Sequence, residues 1–249
     1  MDDFLDAWRW IGDAQNWSGS DGVPVRFVEH LWLTGASLAI ACVIAIPIGL
    51  WLGHIGRGGT LAINISNVGR AIPTFAVLVL LFMTPLGLSD WSTIIALVLF
   101  GMPPVLTNTY VGMREVDRDA VDAARGMGMS AGQVVRTVEL PLAMPLIMNG
   151  VRLAAVQILA TATIAALVAG GGLGRIITAG FGRGDRAQMI AGAILVAVMA
   201  LLIEALMEWA QRRVDPLRRI ERRRVSGRPT TDDKWDADDQ YAEDSVGAK

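Results

Sequence analysis

Residues 31–53 read LWLTGASLAIACVIAIPIGLWLG, a run without one Asp, Glu, Lys or Arg. At about 1.5 Å of rise per residue, a helix of this length exceeds the ~30 Å hydrocarbon core of a bilayer. Within it Ser37, Ala41, Ala45, Gly49 and Gly53 recur at every fourth position. Such a ridge of small side chains lets another helix approach closely. Cys42 lies beside the ridge and reads as one more small packing residue. Pro47 removes a backbone donor, which predicts a kink.

Stretches equally free of formal charge follow at 71–89, 91–113, 153–174 and 187–203. Hydrophobic residues make up 53% of the 249 positions and charged residues 18%, against roughly 25% charged in a soluble chain. This pattern excludes a soluble enzyme and a disordered scaffold. It predicts an all-α integral membrane protein with spans at about 31–53, 60–83, 91–112, 142–168 and 187–210. Other classes fall away on residue counts. The only lysines are Lys234 and Lys249, so no Gly-x-x-x-x-Gly-Lys phosphate loop exists. A single cysteine forms no internal disulfide. His30 and His54 flank the first span, roughly 36 Å apart, and cannot share a metal. No cofactor or metal is expected on the chain itself. The start, Met1-Asp2-Asp3, lacks the basic region of a cleavable signal peptide.

Between the spans the chain alternates in character. Residues 1–27 are polar and read as irregular, with Trp8, Trp10 and Trp17 resting a short segment at the membrane surface. Residues 54–59 form a tight turn. Residues 114–141 are a long polar loop with helical character. Gly170-Gly171-Gly172-Leu173-Gly174 ends the fourth span, and a Gly-rich, partly polar connection leads to Arg186. In the fifth span Ala187, Ala191, Ala193 and Ala197 read as small packing positions. The domain proper covers 28–212, and 213–249 form a tail. Residues 211–228 hold eight Arg, and 229–249 hold seven acids in a stretch without apolar pattern that reads as disordered. One Arg in the 54–59 turn, four in 114–141 and eight in the tail share a side, against five on the other. The positive-inside rule then places the N-terminus outside and the C-terminus in the cytoplasm.

The 114–141 loop contains Val121-Asp122-Ala123-Ala124-Arg125-Gly126-Met127-Gly128 and, ten residues on, Val138-Glu139-Leu140-Pro141. The two alanines expose little side chain, so a partner surface can come close. Gly128 can take a left-handed conformation and turn the chain between two short helices. Pro141 suits the first turn of the next helix. Asp122 either caps a helix N-terminus or pairs with a basic residue of a partner. This spacing resembles the EAA loop of ATP-binding cassette (ABC) importer permeases: Glu-Ala-Ala, three residues, Gly, nine residues, Ile-x-Leu-Pro. Here Asp122 stands for the Glu and Val138 for the Ile.

The resemblance extends over about 28–212. Ala71-Ile72-Pro73-Thr74-Phe75-Ala76, Thr107-Asn108-Thr109-Tyr110-Val111-Gly112, Ala160 to Leu167 and the Gly170–Gly174 run are similar to permeases importing glycine betaine, choline and carnitine. It implies a type I ABC transmembrane domain working as a dimer of identical or paralogous permeases. It further implies two cytoplasmic ATPase subunits that hold ATP and Mg, an external substrate-binding protein, and a bacterial inner-membrane location. Nucleic acid is not implied. The residues implied to couple to the ATPase are Asp122, Ala123, Ala124, Gly128, Val138, Leu140 and Pro141. The expected function is the membrane pathway for an osmoprotectant such as glycine betaine, choline, carnitine or proline betaine. Methionine or another amino acid is the rival substrate.

The residues themselves limit the alternatives. An ion-coupled secondary transporter usually keeps an acid near the bilayer midplane, whereas Glu204 and Glu208 lie toward the cytoplasmic end of the fifth span. A membrane enzyme needs a clustered nucleophile, base or metal set, and none is visible. Trp32, Trp51, Trp91 and Trp209 fall near span ends and read as an interfacial belt rather than a cage for a quaternary ammonium. Two polar helix faces remain. Asn67, Arg70 and Thr74 fall within an arc of roughly 60°, and Asn149, Arg152, Gln157, Thr161 and Thr163 within about 180°. They read as the lining of a pathway. Alternatively, Arg70 snorkels to the interface and the hydroxyls bond their own backbone, or the groups make interhelical contacts.

Overall fold

The computed structural model describes residues 2–59, 63–64, 68–69, 71–87, 89–168 and 170–214. Regular elements among them are all helical. In chain order they are α1 (Asp2–Gly12), a 3-10 turn (Ala14–Trp17), α2 (Val23–Ile55), α3 (Thr74–Phe82), α4 (Asp90–Arg114), α5 (Arg118–Gly126), α6 (Ala131–Val134), a π-helical turn (Val135–Glu139), α7 (Leu140–Ala165), α8 (Gly174–Arg183) and α9 (Arg186–Val214).

Among the described residues, four helical stretches are long and apolar enough to cross a bilayer: Val23–Ile55, Asp90–Arg114, Ala131–Ala165 and Arg186–Arg213. They overlap the expected first, third, fourth and fifth spans, the fourth beginning at Ala131 within the expected loop. The expected second span, 60–83, lies partly outside the described residues, and α3 is its described helix. Asn67 and Arg70 also lie outside them, as do the Arg-rich and acidic parts of the tail beyond Val214.

α2 is longer than the charge-free run because Pro24, in its first turn, has no amide hydrogen to leave unpaired there. It continues through Pro47 and stops at Gly56, which takes a left-handed φ of 67°. Its small-residue ridge is used along its length: Ser37, Ala41, Ala45, Gly49 and Gly53 are all buried. A Cβ on Gly49 would stand 2.7 Å from the Thr109 Cβ of α4, and one on Gly53 would collide with Met113. Glycine permits the same approach between α4 and α7, where a Cβ on Gly150 would lie 2.8 Å from the Pro104 carbonyl oxygen. The central bundle is therefore α2, α4 and α7, cored by Leu33, Ala45, Leu97, Val105, Ala154 and Ile158.

Two stretches outside the expected spans also form helices, the first of them in a segment that reads as irregular. α1 carries Asp2 and Asp3 in its first turn, where carboxylates favour the helix dipole, and buries Ala7. It packs along α9, leaving Phe4, Leu5 and Trp8 exposed. The Gly-rich connection to Arg186 contains α8, closed by Gly184 at φ 69°. Its glycines do not break it because Gly180 is packed, with space for a Cβ denied by Met189. In α9, Ala191 is buried while Ala193 and Ala197 are exposed, so only part of the expected alanine face packs within this chain.

Candidate functional site: the coupling segment and the polar groove

The 114–141 loop folds as two short helices and a turn beneath the bundle. Asp117 accepts from the Asp119 backbone N–H at 2.9 Å and so caps α5. Asp122 is not the cap: it stands within α5, largely exposed, with one carboxylate oxygen 3.7 Å from Arg125 Nη1. Gly128 turns the chain between α5 and α6 at φ 81°. Ser130 and Gln133 form a reciprocal capping box on α6.

The motif positions divide by direction. Val121, Ala124 and Val134 are buried against Met113, Ala143 and Ile147, with Val138 and Leu140 packed beside them. Asp122, Ala123, Met127 and Gly128 are exposed. Of the two alanines, then, Ala123 offers the bare surface, and Ala124 lets α5 sit tightly on its own bundle. Pro141 does occupy the first turn of α7. It also accounts for the π-helical turn before it. Pro141 has no amide hydrogen, so the preceding turn widens, and Leu140 N–H bonds the Val135 carbonyl. The polar segment thereby runs without a break from Ala131 into the fourth span.

Higher in the bundle, the polar residues of α7 meet different partners. Asn149 Nδ2 donates to Asn108 Oδ1 at 3.2 Å. Arg152 Nε donates to Glu204 Oε1 of α9 at 2.7 Å. Thr161 and Thr163 donate to the Gln157 and Leu159 carbonyls of their own helix. Gln157 Nε2 reaches the Phe100 carbonyl at 3.1 Å. That last bond has a covalent cause. Residues three and four after Phe100 are Pro103 and Pro104, neither of which has an N–H to give. Gln157 supplies the donor that α4 lacks.

Gln157 also lines an open groove of about 470 Å³ with Thr74, Phe100, Pro104 and Leu153. Thr74 of the second-span polar face and Gln157 of the fourth-span face thus line one groove.

Glu204 is held by Arg152, which sets an expectation. Arg152→Gln should lower the yield of folded permease, since it leaves the Glu204 carboxylate without its charged partner. The exchange Arg152→Glu with Glu204→Arg should recover most of it. Detergent-extracted, monodisperse protein measured by gel filtration reads both.

Sequence reading passed over one further cluster. His30, fully buried, accepts from Leu173 N–H on Nδ1 at 3.2 Å, so Nε2 carries the proton and donates to the Leu159 carbonyl at 3.1 Å. Glu29 accepts from Gly172 N–H at 2.9 Å and pairs with Arg26. Together they pin the glycine run to the start of α2. Gly172 has a φ of 85°. The signal available was a His and a Glu adjoining an apolar span, opposite a loop rich in free amides.

A bundle of helices long and apolar enough to span a bilayer, with a compact helical segment at one end, defines an integral membrane component. The chain belongs to the family described as the binding-protein-dependent transport system inner membrane component, which matches residues 45–220. It is 35% identical, over 86% of its length and 96% of the relative, to the carnitine transport permease protein OpuCD of Listeria monocytogenes. It is 31% identical, over 76% of its length and 86% of the relative, to the glycine betaine/carnitine/choline transport system permease protein OpuCB of Bacillus subtilis. To the osmoprotectant import permease protein OsmY of Salmonella typhimurium it is 35% identical, over 76% and 80%. Its fold is similar to a chain of the MetNI methionine ABC transporter in inward-facing conformations, with a TM-score of 0.67 at 24% identity over 77% of this chain and 95% of that one. The family places the chain in a multi-pass membrane complex with ATPase and binding-protein partners.

Proposed function

We propose that the chain is the permease of an ATP-driven importer and forms the membrane pathway for a small osmoprotectant, such as glycine betaine, choline, carnitine or proline betaine. The observation that carries this reading is similarity, over 76% to 86% of the chain, to permeases named for carnitine, for glycine betaine, carnitine and choline, and for osmoprotectants. The likeness to the methionine transporter concerns the fold alone. ATP and Mg belong to the ATPase subunits, two of them beneath a pair of permeases, identical or paralogous. The binding protein delivers solute to the N-terminal, outer side, with the C-terminus and the 114–141 segment in the cytoplasm. Asp122, Ala123 and Gly128 face the ATPase, while Ala124, Val138, Leu140 and Pro141 anchor that surface. The pathway runs along the groove, with Thr74 and Gln157 as its polar lining; Asn149, Arg152, Thr161 and Thr163 hold the wall in shape.

Reconstitution with the ATPase subunits and binding protein tests this. Quaternary ammonium solutes should stimulate ATP hydrolysis and accumulate in the vesicles, and methionine should do neither. The opposite preference overturns the substrate class. In a Cys42→Ala background, Thr74→Cys and Gln157→Cys should react with a water-soluble thiol reagent at rates that change with ATP. Protection of both positions in every state rules out the groove.

A further inference from the structure

Where the coupling segment meets the bundle, two residues 85 positions apart are joined. His54 lies in the last turn of α2, and Glu139 closes the π-helical turn before α7. His54 Nδ1 stands 2.6 Å from Glu139 Oε2, with the Glu139 side chain wholly buried and that of His54 20% exposed. The other carboxylate oxygen, Oε1, is buried without a hydrogen-bond partner.

Ile46 and Leu50 of α2 make apolar contacts with this segment, and the Arg114 guanidinium lies beside the Gly56 cap. Apolar contact is non-directional, so such surfaces can slide. A short bond to a buried carboxylate fixes distance and direction. Keeping Oε1 buried and unpaired costs about 1–3 kcal/mol. Hydrophobic filler at Glu139 would avoid that cost, as replacement of buried ion pairs often does. π-Helical turns, too, occur frequently at functional sites.

We propose that the His54–Glu139 pair is the joint by which the coupling segment grips the end of the first membrane helix, so that displacement of the segment by the ATPase is carried into α2. Both are positioning residues: neither belongs to the exposed face of α5, and neither lines the groove. The proposal rests on reading 114–141 as the ATPase-coupling segment.

The test uses the whole complex in vesicles: permease, ATPase subunits and binding protein, with glycine betaine, carnitine and choline as probes. Three quantities are read for each variant: ATPase subunit retained, ATP hydrolysed and solute taken up. His54→Ala and Glu139→Ala should retain the ATPase and hydrolyse within about twofold of wild type, while uptake per ATP falls about tenfold. Glu139→Gln keeps an acceptor for the imidazole and should keep most of that ratio. The double alanine variant should be no worse than either single one, because both remove the same link. An unchanged ratio overturns the joint. So do proportional losses of uptake and hydrolysis, additive losses, or loss of the ATPase subunit. If the Glu139→Ala permease itself does not fold, His54→Phe, which fills similar space without the bond, decides on the same ratio. These outcomes separate from failure of the coupling reading, because Gly128→Val tests the docking surface without touching the pair.

Discussion

A permease carrying Gly128→Val should insert and assemble, yet transport poorly and no longer match ATP hydrolysis to uptake. Gly128 sits at φ 81°, where a side chain costs about 1–2 kcal/mol. A Cβ there would meet nothing within 4 Å, so the penalty falls on the backbone of the turn and leaves the bundle untouched. A shift of that size reduces the correctly turned population about 5–30-fold. Gly126→Ala is the matched control, since its Cβ also meets nothing within 4 Å and its φ is ordinary; it should behave as wild type. Uptake and hydrolysis in the same vesicles decide the matter, and normal transport by Gly128→Val removes the coupling role of this turn.

The second large effect is on stability. Gly49→Leu drives atoms into Thr109 and toward the Leu106 carbonyl, 3.2 Å from where the Cβ would be. Overpacking costs about 1–3 kcal/mol where side chains can shift, and more where backbone is met. Val43→Leu, on the opposite side of α2 at a position 74% exposed, should be neutral. Thermal unfolding in detergent compares the two. Equal midpoints for Gly49→Leu and wild type contradict the close α2–α4 contact.

The residues that announced the fold are those whose chemistry acts over a whole element. Charge-free runs long enough to span a bilayer gave α2, α4, α7 and α9, and the four-residue ridge on α2 gave the buried face. The left-handed turn at Gly128 was legible because few other residues accept it. Where meaning depends on a partner far along the chain, the sequence was silent. Gln157 reads as one member of a polar face until Pro103 and Pro104 are seen to leave the Phe100 carbonyl without a donor. His30 and Glu139 likewise acquire their roles only through the backbone or side chains they meet. α8 was not announced, because a Gly-rich, partly polar connection carries no helical pattern; tertiary contact at Gly180 makes the missing side chain an advantage there.

α2 will also diverge at two speeds. On one side, Ser37, Ala41, Ala45, Gly49 and Gly53 have no spare volume, so descendants of this gene can exchange them only for residues as small. On the other, Trp32, Val43 and Trp51 are 62%, 74% and 63% exposed, and drift there is limited only by solubility in hydrocarbon or by the taste of the interface for aromatic rings. A single helix thus carries a constrained stripe and a tolerant one, and the boundary between them marks how far α4 and α7 reach around it.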